Sequence, residues 1–352
     1  MEMQSYNIVV VEEKYMEIAA EKHALEFKSS MVGKALKSLV TNYLLIVLIA
    51  IIVLGSILSP YFLTSRNVGN VLTFAAVVSI IAVGQFFVIV TGGIDLSVGS
   101  MVALSTVIAA VSMKGGTSPF IASLLALLVT GAVGGIAGLL VVKAKIAPFV
   151  ATLAMMSIAR GTSYLVQIGS LISIDDEGFI HFFAGKTAGI SNPVIIFVLV
   201  MLVSAFFMKY STYGRRLYAI GGNAEAARLS GLSVDTSIFS VYLLNGLLAG
   251  LAGLILAAQL TQGSSLLAQG YELDAIAAVV VGGAALSGGS GNPIKAVAGG
   301  LIIAILGNIM NLMTIPSEPQ QVVKGVLIII AVVFIGGEFK PTLFKKRQKN
   351  SA

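Results

Sequence analysis

The sequence predicts an all-α fold, a polytopic transmembrane bundle of about ten helices, some short or broken, with both termini in the cytoplasm. Three observations predict it. Mean hydropathy is +0.97. Of the 352 residues 57% are hydrophobic and 11% charged, against roughly a quarter charged in soluble domains. Apolar runs of the roughly 17–25 residues that a hydrocarbon layer of about 30 Å requires recur along the chain, and the basic residues are sorted between alternate loops.

Residues 1–40 read as a charged cytoplasmic lead-in without the apolar core of a signal peptide. Glu12, Glu13, Lys14, Glu17, Glu21, Lys22, Glu26 and Lys28 interleave their signs at helical spacing, which describes a solvated surface helix over 12–28. The membrane domain spans 41–338, and 339–352 is a basic cytoplasmic tail. The apolar runs lie at about 43–59, 71–91, 97–113, 119–142, 148–168, 191–208, 237–260, 272–286, 294–313 and 321–336. With ten spans, seventeen of the 22 Lys and Arg fall on one side. The opposite loops hold Arg66, Lys114 and Lys186, while Arg160 and Lys324 fall inside spans. The positive-inside rule therefore places the termini and the 214–231 insert in the cytoplasm.

The net charge of +6 arises from this sorting and suits an anionic lipid bilayer. The basic residues are spread over several loops with no aromatic platform, so no nucleic-acid partner is indicated. There is no cysteine, and His23 and His181 fall on opposite sides, so no metal site is read. No catalytic residue and no bound cofactor is read either. Gly131, Gly134, Gly135 and Gly138, and later Gly246 and Gly250, have the spacing that lets membrane helices approach closely, which is expected to serve packing within the chain. Two segments, 91–99 and 270–289, each set acidic residues beside a glycine cluster. Their places in the two halves of the chain suggest an internal repeat with broken helices.

The polar insert is the strongest departure from the apolar pattern. Asn223 is a good N-cap, Ala224 to Leu229 are strong helix formers, and Gly231 suits a left-handed C-terminal cap. Glu225 in the first turn and Arg228 near the last complement the helix dipole. A short capped helix offered to water between long spans points to a cytoplasmic partner, although an ordinary loop helix has the same signals.

Asp95 allows two readings. A carboxylate at the centre of a membrane helix costs roughly 2.5–3.5 kcal/mol. It therefore either lines a solute path at a helix break or starts the 97–113 run as an N-cap in cytoplasmic water, with Ser97 able to cap that same run. Arg160 needs a partner or water. Gln85, Asn245, Glu272 and Asp274, with Asp95, Ser97 and Arg160, are the candidates for the translocation path. Interhelical structural bonds are the simpler account of each neutral one. Asp175-Asp176-Glu177, in the long external loop 169–190, is either a docking patch or a solvated turn.

Several segments together carry a family resemblance. Glu225-Ala226-Ala227-x3-Gly231 resembles the coupling-loop signature of ABC importer permeases. Val90 to Ser100, Pro148 to Leu153, Ala159-Arg160-Gly161, Gly214 to Asn223 and Gly270 to Gly283 resemble the monosaccharide (ribose, xylose, galactose) branch, over about residues 40–340. The resemblance implies a permease that works as a pair, most simply two copies of one chain. It also implies an extracytoplasmic sugar-binding protein and a separate ATP-hydrolysing subunit docked on the 223–231 helix, with Arg215, Arg216, Asn223, Glu225, Ala226, Ala227 and Gly231 at the contact. The chain agrees by omission, since Gly288 to Lys295 has glycines at the wrong spacing for a phosphate-binding loop and includes a Pro. The competing reading is a gradient-driven secondary transporter using Asp95, Arg160, Glu272 or Asp274 as coupling residues.

Overall fold

The computed structural model describes residues 43–167 and 169–335. The helix expected at 12–28 and the basic tail at 339–352 lie outside them. The chain separates into units 1–50 and 51–352, and the contacts described here lie within the second.

The helices are α1 (Tyr43–Leu58), α2 (Ser65–Val90), α3 (Val98–Lys114), α4 (Pro119–Val142), α5 (Pro148–Gln167), α6 (Glu177–Ala184) and α7 (Asn192–Tyr210). They continue with α8 (Thr212–Gly222), α9 (Ala224–Leu229), α10 (Val234–Leu260), α11 (Tyr271–Val281), α12 (Pro293–Leu312) and α13 (Ser317–Ile335). Four two-residue strands, β1 (Ile172–Ser173), β2 (Lys186–Thr187), β3 (Ile190–Ser191) and β4 (Gln262–Gly263), form two antiparallel ribbons, β1 with β4 and β2 with β3. All the long helices coincide with apolar runs of the sequence.

By length and composition six helices among the described residues, α2, α4, α5, α7, α10 and α12, suffice to cross a membrane, and α1 and α3 are shorter apolar helices. The run expected over 272–286 is cut short. α11 has 11 residues, which at 1.5 Å per residue reach about 16 Å, roughly half a hydrocarbon core. It stops because Gly282-Gly283 comes next, with Gly283 at φ +82°, a conformation open to glycine. The sequence also reads 169–190 as a plain loop, whereas it contains α6. Asp176 caps that helix by accepting the Phe179 N–H at 2.8 Å, and Phe179 and Phe183 are buried.

α2 and α10 form the centre. The most apolar stretch of α2 is 89% buried and that of α10 78%, against 28% for α5 and 22% for α7. α10 lies against α2, α3 and α4. Its close approach to α4 depends on the spaced glycines. A Cβ on Gly134 would strike the Tyr242 carbonyl, and one on Gly246 the Thr130 carbonyl. The small residues thus pack helices within this chain, as their spacing leads one to expect.

Loops that the alternation assigns to one side meet each other. The β1–β4 ribbon joins 172–173 to 262–263. At the other end Gly221, Gly288 and Gly289 converge on Val90 and Gly92.

Candidate functional site

The polar insert folds as two helices broken at Asn223. Ser211 caps α8, its Oγ accepting the Gly214 N–H at 3.0 Å. Leu217 and Ile220 turn inward. The Tyr213 hydroxyl pairs with Ser240 Oγ on α10 at 2.8 Å, and Tyr218 donates to the Gly291 carbonyl at 2.9 Å. Burial pushes both phenols above the usual tyrosine range, so they act as neutral hydrogen-bonding groups that moor α8.

α9 begins as its sequence predicts, with Asn223 Oδ1 accepting the Ala226 N–H at 2.9 Å. It ends at Gly231, φ +80°, where the Leu232 N–H returns to the Ala227 carbonyl at 3.0 Å. One face is anchored, since Ala227 packs with Ile220 and Val234 in a small buried cluster. Arg228 is held by Asp235 at 2.9 Å. The other face, Glu225, Ala226 and Leu229, is exposed, with Leu229 82% accessible. Arg215 is exposed beside it, whereas Arg216 reaches back to Ser233 Oγ at 3.3 Å.

Beneath this insert lies a buried polar cluster. α2 ends at Val90, Gly92 turns the chain at φ +83°, and the chain crosses to α3 through Asp95. Asp95 is fully buried. Its Oδ1 accepts the Ser97 N–H at 2.8 Å and the Ser97 hydroxyl at 2.6 Å, and its Oδ2 accepts from Asn245 Nδ2 of α10 at 2.9 Å. With its amide turned so that nitrogen faces the Asp95 carbonyl, the orientation that satisfies both groups, Gln85 of α2 donates to that carbonyl and accepts the Asp95 N–H at 3.1 Å each. Thr152 of α5 donates to the Ile94 carbonyl at 3.3 Å. Two sequence expectations are corrected here. Asp95 does not stand in water, and Ser97 gives no side-chain cap to α3, because its hydroxyl is spent on Asp95.

The insert and this cluster are joined by backbone. The Gly289 N–H donates to the Val90 carbonyl at 2.9 Å. Any Cβ on Gly221 would strike both the Val90 carbonyl and the Gly289 nitrogen. The end of α8, the end of α2 and the 287–291 turn thus form one junction with no room for a side chain at 221, 288 or 289.

The remaining candidates separate. Asp274 is buried and pairs with Lys324 of α13 at 2.8 Å. Arg160 of α5 donates through Nη1 to the Ser265 and Leu267 carbonyls at 2.6 and 2.8 Å. The Glu272 carboxylate sits against Gly99 of α3, with Oε2 unpartnered. Of the seven path candidates, Gln85, Asp95, Ser97 and Asn245 form one cluster, Arg160 and Glu272 lie apart from it, and Asp274 belongs to a helix–helix ion pair.

A family model described as "Branched-chain amino acid transport system / permease component" matches residues 67–332. The chain belongs to this permease family. It is 40% identical over 293 residues to the ribose import permease protein RbsC of Escherichia coli, covering 82% of this chain and 91% of that one. It is 43% identical over 288 residues to the RbsC protein of Bacillus subtilis, covering 81% and 89%. The D-allose transport system permease protein AlsC of Escherichia coli is 38% identical over 293 residues, covering 83% and 89%. No solved structure matches.

The match spans α2 to α13 of the permease and includes the insert, the Asp95 cluster and the glycine junction. Sequence reasoning missed Lys324 as the partner of Asp274, and Thr152 and Tyr242 as supports of the 91–97 crossing. The carbonyl partners of Arg160 carry no side-chain signal at all. The glycine clusters were visible, but that they meet is a property of the fold alone.

Proposed function

We propose that this permease is the membrane subunit of an ATP-driven importer for a monosaccharide of the ribose kind, the cargo named for its relatives. In this reading an extracytoplasmic binding protein delivers the sugar, two copies of the chain form the path, and a separate subunit docked on α9 hydrolyses ATP. The chain itself then needs no cofactor and is not an enzyme. The membrane domain covers 41–338 between the lead-in 1–40 and the tail 339–352, and both termini are cytoplasmic.

One observation carries the reading. α9 has one face anchored and one face open, and its base abuts the glycine junction through α8. Leu229 adds an exposed apolar side chain to the open face that Glu225 and Ala226 form. A gradient-driven carrier has no use for such an element. Two of its four candidate couplers are also engaged, Asp274 by Lys324 and Asp95 by Ser97 and Asn245.

The test is gentle detergent extraction with the ATPase followed as a co-purifying subunit. Glu225→Lys reverses the charge on the open face, and Gly231→Pro is incompatible with φ +80°. Both are expected to lower the bound ATPase about tenfold, the effect of ~1.4 kcal/mol in affinity, with the chain still folded. Absence of any ATPase from the unsubstituted chain sinks the reading and favours gradient-driven transport.

A further inference from the structure

We propose that a polar cavity between α5, α3 and the start of α11 is a low-affinity contact site for the sugar in transit, and that the outer face of α5 is a wall of the path. The proposal rests on the importer reading above. The cavity holds about 260 Å³ and is lined by Ser100, Ser157, Arg160, Tyr164, Gln269 and Glu272 among others. Drug-sized sites begin at roughly 300 Å³, so this one suits a smaller solute.

Its position is set by topology. α5 is one of the long apolar helices, yet only 28% of its most apolar stretch is buried. Ser157, Arg160, Gly161 and Tyr164 recur on it at helical spacing, on one face. Ser157 and Tyr164 are exposed. Facing hydrocarbon, an opening that contains a guanidinium and a carboxylate is costly, and such groups in membrane segments face water or a partner. This face of α5 therefore looks onto an aqueous space. The Ser265 and Leu267 carbonyls that hold Arg160 come just after the β4 strand, at the end of the fold away from α9. That is the end at which a delivered solute arrives.

The chemistry selects a neutral hydroxylated solute. Arg160 uses only Nη1 on the two carbonyls, and a guanidinium has five N–H donors. The Glu272 carboxylate also lines the cavity, with its Oε2 buried against Gly99 and unpartnered. An anion meets Glu272 and a cation meets Arg160, whereas sugar hydroxyls donate to one and accept from the other. Ser100, Ser157 and Gln269 add hydroxyl and amide groups, and Tyr164 supplies a single aromatic ring. With no stacked aromatic pair, the site releases what it binds, as a conduit requires.

The chain has no cysteine, so a single introduced thiol reports accessibility cleanly. The experiment uses the complete transporter in vesicles, with ribose as probe and a charged, membrane-impermeant thiol reagent. Ser157→Cys is compared with Ile158→Cys, the neighbouring exposed apolar position. Gly161→Cys, where an added Cβ meets nothing within 4 Å, is the second position should the first variant transport poorly. Reaction at 157 or 161 is expected about tenfold faster than at 158, a difference of ~1.4 kcal/mol in barrier. Ribose with binding protein and ATP is expected to slow it severalfold, and a disaccharide to leave it unchanged. Equal rates at 157, 161 and 158, or fast reaction that ribose does not slow, overturns the site. Uptake by the unsubstituted chain is measured first in the same vesicles. If it takes up no monosaccharide, the importer reading fails, which is a different result from uptake with an unprotected thiol.

Discussion

Asp95 ties three parts of the chain through one side chain, and its neighbours define what can replace it. Ser97 needs an acceptor for its N–H and Asn245 needs one for its Nδ2. Asn245 Oδ1 is buried without a partner. Asp95→Asn keeps an oxygen for Ser97, and its new amide is satisfied once Asn245 turns over to present Oδ1, with Asn245 Nδ2 then taking the one unpartnered position that Oδ1 holds in the parent. Asp95→Leu leaves at least two buried donors unpaired, at roughly 1–3 kcal/mol each. In thermal unfolding of the detergent-solubilised chain, the Asn variant is expected near the parent and the Leu variant well below it. An Asn variant as unstable as the Leu variant would show that the charge, not the hydrogen-bond pattern, holds the crossing. The sequence marked Asp95 as unusual, because a carboxylate beside apolar runs is rare. It did not reveal burial, since Asn245, whose amide makes burial tolerable, lies 150 positions away.

At the scale of elements, the apolar runs were legible because a hydrocarbon layer fixes their length. α6 was not, being eight residues long and flanked by turn-forming residues. α11 was read too long, because Val279 to Val281 and Ala284 to Leu286 look continuous unless the Gly pair between them is given its weight. Glycines on helices are not equivalent. Gly134 faces the α10 backbone, whereas an added side chain at Gly161 meets no atom within 4 Å. Gly134→Val is expected to cost at least the ~1–3 kcal/mol typical of overpacking. Gly161→Val is expected to be neutral in stability or slightly favourable, since Gly is the poorer helix former. Melting temperatures of the two variants in one detergent check the contrast, and comparable losses would refute it.

At the scale of the whole molecule, the Gly221–Val90–Gly289 junction places the open helix and the Asp95 crossing on either side of one hydrogen bond. It ties the proposed docking surface to the end of α2 through α8. Gly221→Ala puts a methyl group against the Val90 carbonyl and the Gly289 nitrogen while leaving the outer face of α9 untouched. The expected outcome is unchanged ATPase co-purification with uptake per docked ATPase lowered about tenfold, or ~1.4 kcal/mol. Uptake equal to the parent would show that the junction only packs. None of this was readable from glycine content, because residues 92, 221 and 288 are neighbours only after folding.

The open space around Gly161 has an evolutionary consequence. Side chains of many sizes can be tried there, and at exposed Ser157 and Tyr164 nearby, without disturbing a packed neighbour. The junction at 221 and 289 admits nothing larger than hydrogen. On the proposed path, a lineage of such proteins can therefore vary the α5 face one point mutation at a time while the junction is inherited unaltered.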